Sequence, residues 1–212
     1  MAATAHLYVF DGLADWEPAF AIAGINNPQF QREPGRWQVQ TVGVSRAMIR
    51  SIGGVAVLPD IALQDLQAFD SGLLILPGGA RWEDETAHLQ ATRKALDFLE
   101  AGVPVAAICG ATAGLARAGA LDHRAHTSNA LRYLNGTGYD GAANYRDEAA
   151  VRAGGLITAG GMAPLEFARE IFVQLGLYDD AVLDAWYRLH KTGKSEWFAR
   201  LVEAAQQEMV EV

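Results

Sequence analysis

The 212-residue chain has one cysteine, Cys109. A single thiol excludes an internal disulfide and any metal site built from several cysteines. Charged residues make up only 20% of the chain and form no block, so no segment has the composition of a disordered tail. There is no basic stripe. Lys and Arg number 17 against 25 Asp and Glu, and the net charge of −8 repels nucleic-acid phosphates and anionic membranes. No apolar run approaches the roughly 20 residues that span a bilayer. The start, MAATAHLYVFDG, has no basic segment before an apolar stretch of signal length. These absences predict a soluble, cytoplasmic protein with no nucleic-acid or membrane partner. The glycines of GATAG lack a phosphate-loop lysine, and no dinucleotide fingerprint follows the first apolar run, so no cofactor is implied. Asp11 and Asp15 share a loop, but two aspartates do not make a cation site, and no metal is expected.

Half of the residues are hydrophobic, enough for a sizeable core in one domain. Short apolar runs alternate with helical patterns. Residues 5–10, 36–44, 71–79, 103–109 and 154–161 read as strands. A glycine turn and a short strand are expected in 52–60, and one or two helical turns in LQDLQAF. Residues 16–27, 81–102, 111–121 and 164–176 read as helices, with Pro18 in a first turn, Gly102 as a C-terminal cap and two more helices in 180–212. This alternation predicts an α/β fold with a mostly parallel, buried sheet and helices on both faces. The domain spans residues 1–176, and a helical extension, 177–212, packs on it.

In such sheets ligands bind beyond the carboxyl ends of the strands. Asp11 to Glu17, LPGGA at 76–80 and ICGAT at 108–112 all fall at that edge. Cys109 ends an apolar run, Gly110 follows and a small-residue helix then begins, the arrangement of a nucleophile elbow with sulfur in place of a serine oxygen. The exposed N–H groups and positive end of that helix favour a thiolate, so a lowered thiol pKa is expected. The alternative is a small buried hydrophobe.

LPGG at 76–79, AICGATAGLARAGAL at 107–121, DGLADWEPA at 11–19 and GGLITAGG followed by PLEFAREI at 154–171 together resemble the ThiJ/PfpI superfamily, also called the DJ-one family. The resemblance implies a flavodoxin-like three-layer sandwich of the class I glutamine amidotransferase-like type, with a nucleophile elbow. It implies that Cys109 is the reactive cysteine and that Glu17 is the acidic residue bonded to the sulfur. Glu17 helps a thiolate only when protonated, because like charges repel. The alternative for Glu17 is an ordinary first-turn glutamate. Backbone N–H groups of Gly79, or of Ala80, and of Gly110 are candidates for an oxyanion hole. Family members commonly form homodimers, and the amphipathic tail offers an apolar stripe.

The histidines depart from the family pattern. The chain has His6, His88, His123, His126 and His190. No His-x-Glu pair lies downstream of the cysteine, so glutamine amide hydrolysis is not expected. Gly110 stands where peptidase-like members have histidine. Ser128 stands where many members have a histidine after the elbow helix. His126, two residues earlier and on the same face of an extended segment, is a candidate site residue; the alternative is a loop histidine bonded to backbone. Asn129 reads as a helix cap. Trp16, Ala80, Trp82, Thr112 and Ser128 are candidate pocket residues, although Trp82 could instead anchor its helix to the sheet. His6 reads as structural, and His88 as pocket or surface. Three functions stay open: a cysteine-dependent enzyme acting on a small metabolite, for which the resemblance implies a hydrolase, hydratase or glyoxalase-like activity; a non-enzymatic redox sensor or stress-response protein that uses an oxidisable Cys109; or a scaffold whose active role belongs to a partner.

Overall fold

In the computed structural model, which describes residues 2–211, seven strands form one sheet. β1 (Ala3–Tyr8) is followed by α1 (Trp16–Asn26) and by β2 (Trp37–Gly43), which pairs parallel to β1 with Ala5 opposite Val39. β3 (Ile49–Arg50) and β4 (Ala56–Val57) form a separate antiparallel hairpin, and β5 (Ile61–Ala62) joins the sheet beside β2. β6 (Leu73–Leu76), α2 (Leu89–Glu100), β7 (Val105–Ile108) and α3 (Gly110–Arg117) come next. The chain then runs through α4 (Leu131–Asn135), β8 (Ala150–Ala153), β9 (Leu156–Ala159), α5 (Pro164–Leu175), α6 (Asp180–Thr192) and α7 (Glu196–Glu211).

The strand order is β5-β2-β1-β6-β7-β9-β8, parallel throughout except for β8 against β9. Every residue of β6, β7 and β9 is buried, because helices cover both faces: α1 and α5 pack on one side, α2 and α3 on the other. That is why these strands are continuous apolar runs and not alternating ones. The expected three-layer α/β sandwich is therefore present. On the α1 side, Trp186 of α6 packs edge-on against Phe172 and Phe20, and Leu201 of α7 is buried.

The chain leaves β1 in one direction, to β2, and β6 lies on the other side. Ligand sites of such sheets lie where the order reverses. The loops after β1 and β6 meet there: Ala14 N–H donates to Gly78 O at 3.0 Å and Ala80 N–H to Gly12 O at 2.9 Å.

Several boundaries differ from the sequence pattern. The helix expected over 81–102 starts at Leu89. Upstream, the Asp84 carboxylate accepts the Thr86 N–H at 2.9 Å and its hydroxyl at 2.8 Å, a local turn that competes with helix. The same helix ends as expected at Gly102, with Gly102 N–H to Leu99 O and Val103 N–H to Phe98 O. The elbow helix stops at Arg117 rather than Leu121, because Gly119 takes a left-handed φ of +75° and closes the same motif. LQDLQAF holds a turn at 63–65, with Asp65 N–H to Ala62 O at 2.9 Å, and enters a 3-10 turn at Ala68–Asp70. No helix of the described residues is long and apolar enough to cross a membrane.

Candidate active site

Cys109 joins β7 to α3 at φ +58° and ψ −124°, a backbone conformation rare for a residue with a side chain. The surroundings hold it there. Its N–H donates to Ala159 O at 3.0 Å, and its carbonyl accepts the Thr112 N–H at 3.1 Å and the Thr112 hydroxyl at 2.6 Å. With the Thr112 proton committed, Ser128 Oγ donates to Thr112 Oγ1 across 2.6 Å. Thr112 and Ser128, expected to line a pocket, brace the elbow from behind instead.

Glu17 lies in the first turn of α1, yet its side chain is only 1% exposed. The helix turns this face inward, where Oε2 accepts the Gly78 N–H at 2.5 Å and the carboxyl lies beside Cys109, both against Gly78. Burial lifts its pKa from 4.5 to about 7, against the pull of the thiol and of the Gly78 N–H. The Cys109 thiol is pushed up to about 11, first by burial and next by the Glu17 charge; Asn129 and the Gly110 N–H pull the other way. This corrects the expectation of a thiol lowered by the helix end. Desolvation and the facing carboxylate outweigh the helix terminus. Between pH 7 and pH 11 the pair therefore holds one proton between carboxylate and sulfur.

The double glycine supplies the opposite wall. Gly79 has φ +140°, and a Cβ there would collide with the Gly12 carbonyl, so only glycine fits. Its N–H meets no protein acceptor among the described residues, and the Gly110 N–H opens α3 next to Cys109. Ala80 drops out as a donor, because its N–H is committed to Gly12 O.

Asn129 is the residue that sequence reading missed. Its Nδ2 donates to Cys109 Sγ at 3.4 Å, and its Oδ1 accepts the Gly161 N–H at 2.8 Å. It caps nothing: α4 is preceded by Ala130, with no side-chain cap. Its position next to Ser128, in the family's histidine register, was the available signal. The Tyr133 hydroxyl donates to Glu83 Oε1 at 2.9 Å, and burial, Glu83 and the charge of Cys109 push its pKa up.

The other candidates sit elsewhere. His126 is fully buried. Its Nδ1 donates to Arg124 O at 2.8 Å, its Nε2 accepts from Tyr139 OH at 3.3 Å, and its ring meets Tyr139 and Tyr145 edge-on. Both nitrogens are used, neither on Cys109, so the alternative of a backbone-bonded loop histidine holds. Trp82 is buried beneath Gly110 and Gly114, with its Nε1 donating to Pro77 O at 3.1 Å, and so anchors the glycine loop. It also lines a separate hollow of about 350 Å³ with His88, Thr92 and Arg117. His88 stacks on Trp82; its Nε2 donates to Ala80 O at 3.0 Å and its Nδ1 accepts from Tyr8 OH at 3.1 Å. His6 bonds Ser71 Oγ at 2.8 Å, a structural contact. Trp16 is half exposed beside Glu17. Asp11 and Asp15 accept the Arg50 and Gly53 N–H groups, at 2.8 and 2.7 Å, and so pin the hairpin. Among the described residues no three His, Cys, Asp or Glu side chains converge as a metal site.

The model of the DJ-1/PfpI family matches residues 3–174. A Bacillus subtilis (strain 168) protein named "Uncharacterized protease YoaZ" is 42% identical over 200 residues, covering 93% of this chain and 95% of that one. A second protein of that strain, named "Uncharacterized protease YdeA", is 33% identical, covering 77% and 78%. The crystal structure of a thiJ/pfpI family protein from Bacillus anthracis superposes with TM-score 0.89 at 40% identity, covering 96% of this chain and 97% of that one. With the elbow, the buried glutamate and the glycine loop in place, these matches establish that the chain belongs to the DJ-1/PfpI family.

Proposed function

We propose that the protein is a cysteine-dependent enzyme that acts on a small electrophilic metabolite, with Cys109 as nucleophile and Glu17 as its proton partner. One observation carries the reading: the Glu17 carboxyl lies beside Cys109, where the Gly79 N–H has no protein partner and the Gly110 N–H opens α3 next to the sulfur. Sulfur adds to a carbonyl carbon and forms a C–S bond. The thiol proton passes to the Glu17 carboxylate. The π pair moves to oxygen, which Gly79 and Gly110 receive. For an ester or amide, the oxyanion collapses, Glu17 returns its proton to the leaving group, and water cleaves the C–S bond. General acid–base help contributes on the order of 10²–10⁴ in rate, and each oxyanion donor roughly 3 kcal/mol.

The relatives' names point to peptide hydrolysis. A small substrate is favoured here because His126, the histidine offered for this site, spends both ring nitrogens away from the sulfur. A redox role is the second reading, supported by the half-buried sulfur beside two hydrogen-bonding side chains. A cytoplasmic location, where a free thiol stays reduced, belongs to the same proposal. So does a homodimer: exposed Met48, Ile52, Val55 and Leu58 cluster at the β3–β4 hairpin, and a monomer by light scattering would overturn it.

The test compares wild type with Cys109→Ser on methylglyoxal, simple amides and esters, and a peptide, alongside peroxide-driven mass gain at Cys109. Turnover that falls at least a hundredfold in Cys109→Ser supports the enzyme. Turnover that survives the substitution overturns Cys109 as nucleophile. Oxidation of Cys109 without turnover of any substrate replaces the enzyme reading with the sensor.

A further inference from the structure

We infer that Asn129 is the neutral hydrogen-bond donor that positions the Cys109 sulfur and supports its anionic form, in place of an imidazole. The inference rests on reading Cys109 as a nucleophile. The geometry leaves the Asn129 amide one orientation. Gly161 N–H can only donate, so the atom it meets at 2.8 Å is the carbonyl oxygen Oδ1. The NH₂ group is thereby aimed at Sγ, 3.4 Å away. Gly161 lets this happen: a Cβ there would come 2.8 Å from Sγ and 3.3 Å from Oδ1, so backbone, amide and sulfur are in mutual contact. The two-point seat fixes the amide before any substrate arrives, and a preorganised donor supports charge as it develops without first having to reorganise.

The donor also has no titration of its own. An imidazole would add an inflection near neutral pH. Here the ionisable side chain that acts on the sulfur is Glu17 from α1, while Tyr133 from α4 is tied to Glu83 and only senses the sulfur's charge. The pH dependence of sulfur reactivity therefore belongs to the Glu17–Cys109 pair, with Asn129 setting where it falls.

The experiment needs no substrate: alkylation of Cys109 by iodoacetamide across pH, with ultraviolet thiolate absorbance as a second readout. Asn129→Asp keeps an acceptor for Gly161 N–H and replaces the donor at the sulfur with an anion. The expected result is an alkylation rate at pH 8 at least tenfold below wild type, and a thiol titration displaced upward by a unit or more. Asn129→Ala should show a smaller upward displacement. An Asn129→Asp profile that superimposes on wild type overturns the inference. If that variant does not fold, an unmoved titration in Asn129→Ala does the same. Loss of the proposed enzymatic activity would leave these rates untouched, so the two readings fail separately.

Discussion

The Glu17 carboxyl, bonded through Oε2 to the Gly78 N–H at 2.5 Å, faces the Cys109 thiol, so an acid titrating near 7 shares its proton with a sulfur titrating near 11. Neither group keeps the ordinary value of its type, because both are removed from water and each senses the other's charge state.

That relationship makes stability depend on pH. Glu17 rises from 4.5 to about 7 on folding, so its contribution is fully present below pH 4.5 and is lost as pH climbs through 7. The shift corresponds to roughly 3 kcal/mol. Across this window the melting temperature of wild type should fall by roughly 6–12 °C more than that of Glu17→Gln, whose amide does not ionise. Parallel melting curves for the two proteins would count against a buried, raised Glu17.

Cys109 holds φ +58° at a cost of about 1–3 kcal/mol. Glycine adopts that region freely. Cys109→Gly should therefore melt at or above wild type, and above Cys109→Ser, which keeps a Cβ on the strained backbone. Differential scanning calorimetry of the three proteins decides it.

A methyl group at position 161 would stand 2.8 Å from the sulfur and 3.0 Å from Cys109 Cβ. Gly161 has an ordinary φ, so the backbone tolerates the change. Gly161→Ala should cut iodoacetamide reactivity of Cys109 at least tenfold while the far-ultraviolet circular dichroism stays that of wild type. Full reactivity would mean that the sulfur is approached from another side.

His126 is bonded to Arg124 and Tyr139, away from the elbow. His126→Phe should lower stability by about 1–3 kcal/mol in urea unfolding, because it strands buried partners. Its Cys109 alkylation profile should match wild type across pH. A displaced profile would restore His126 to the site.

The parts legible in the sequence were those governed by burial on both faces. Leu73–Leu76 and Val105–Ile108 are apolar at every position because helices cover both sides of the sheet, and a run of that kind reads directly. Edge strand β8, with Arg152 exposed, carried no such run. The 81–88 segment kept a helical pattern, yet Asp84 took the local backbone for a turn, a competition that periodicity does not register.

Local chemistry along the chain determined the α/β alternation, the elbow at Cys109 and the glycine turn at 77–79, since each depends on neighbours within a few residues. Only the packed structure decided that Glu17 points inward and not to solvent, that Asn129 and not His126 meets the sulfur, and that the thiol rises where a helix end alone would lower it. Side-chain direction and desolvation are set by elements far apart in the chain, Gly78, Asn129 and Gly161 among them, and no short stretch of sequence contains that information.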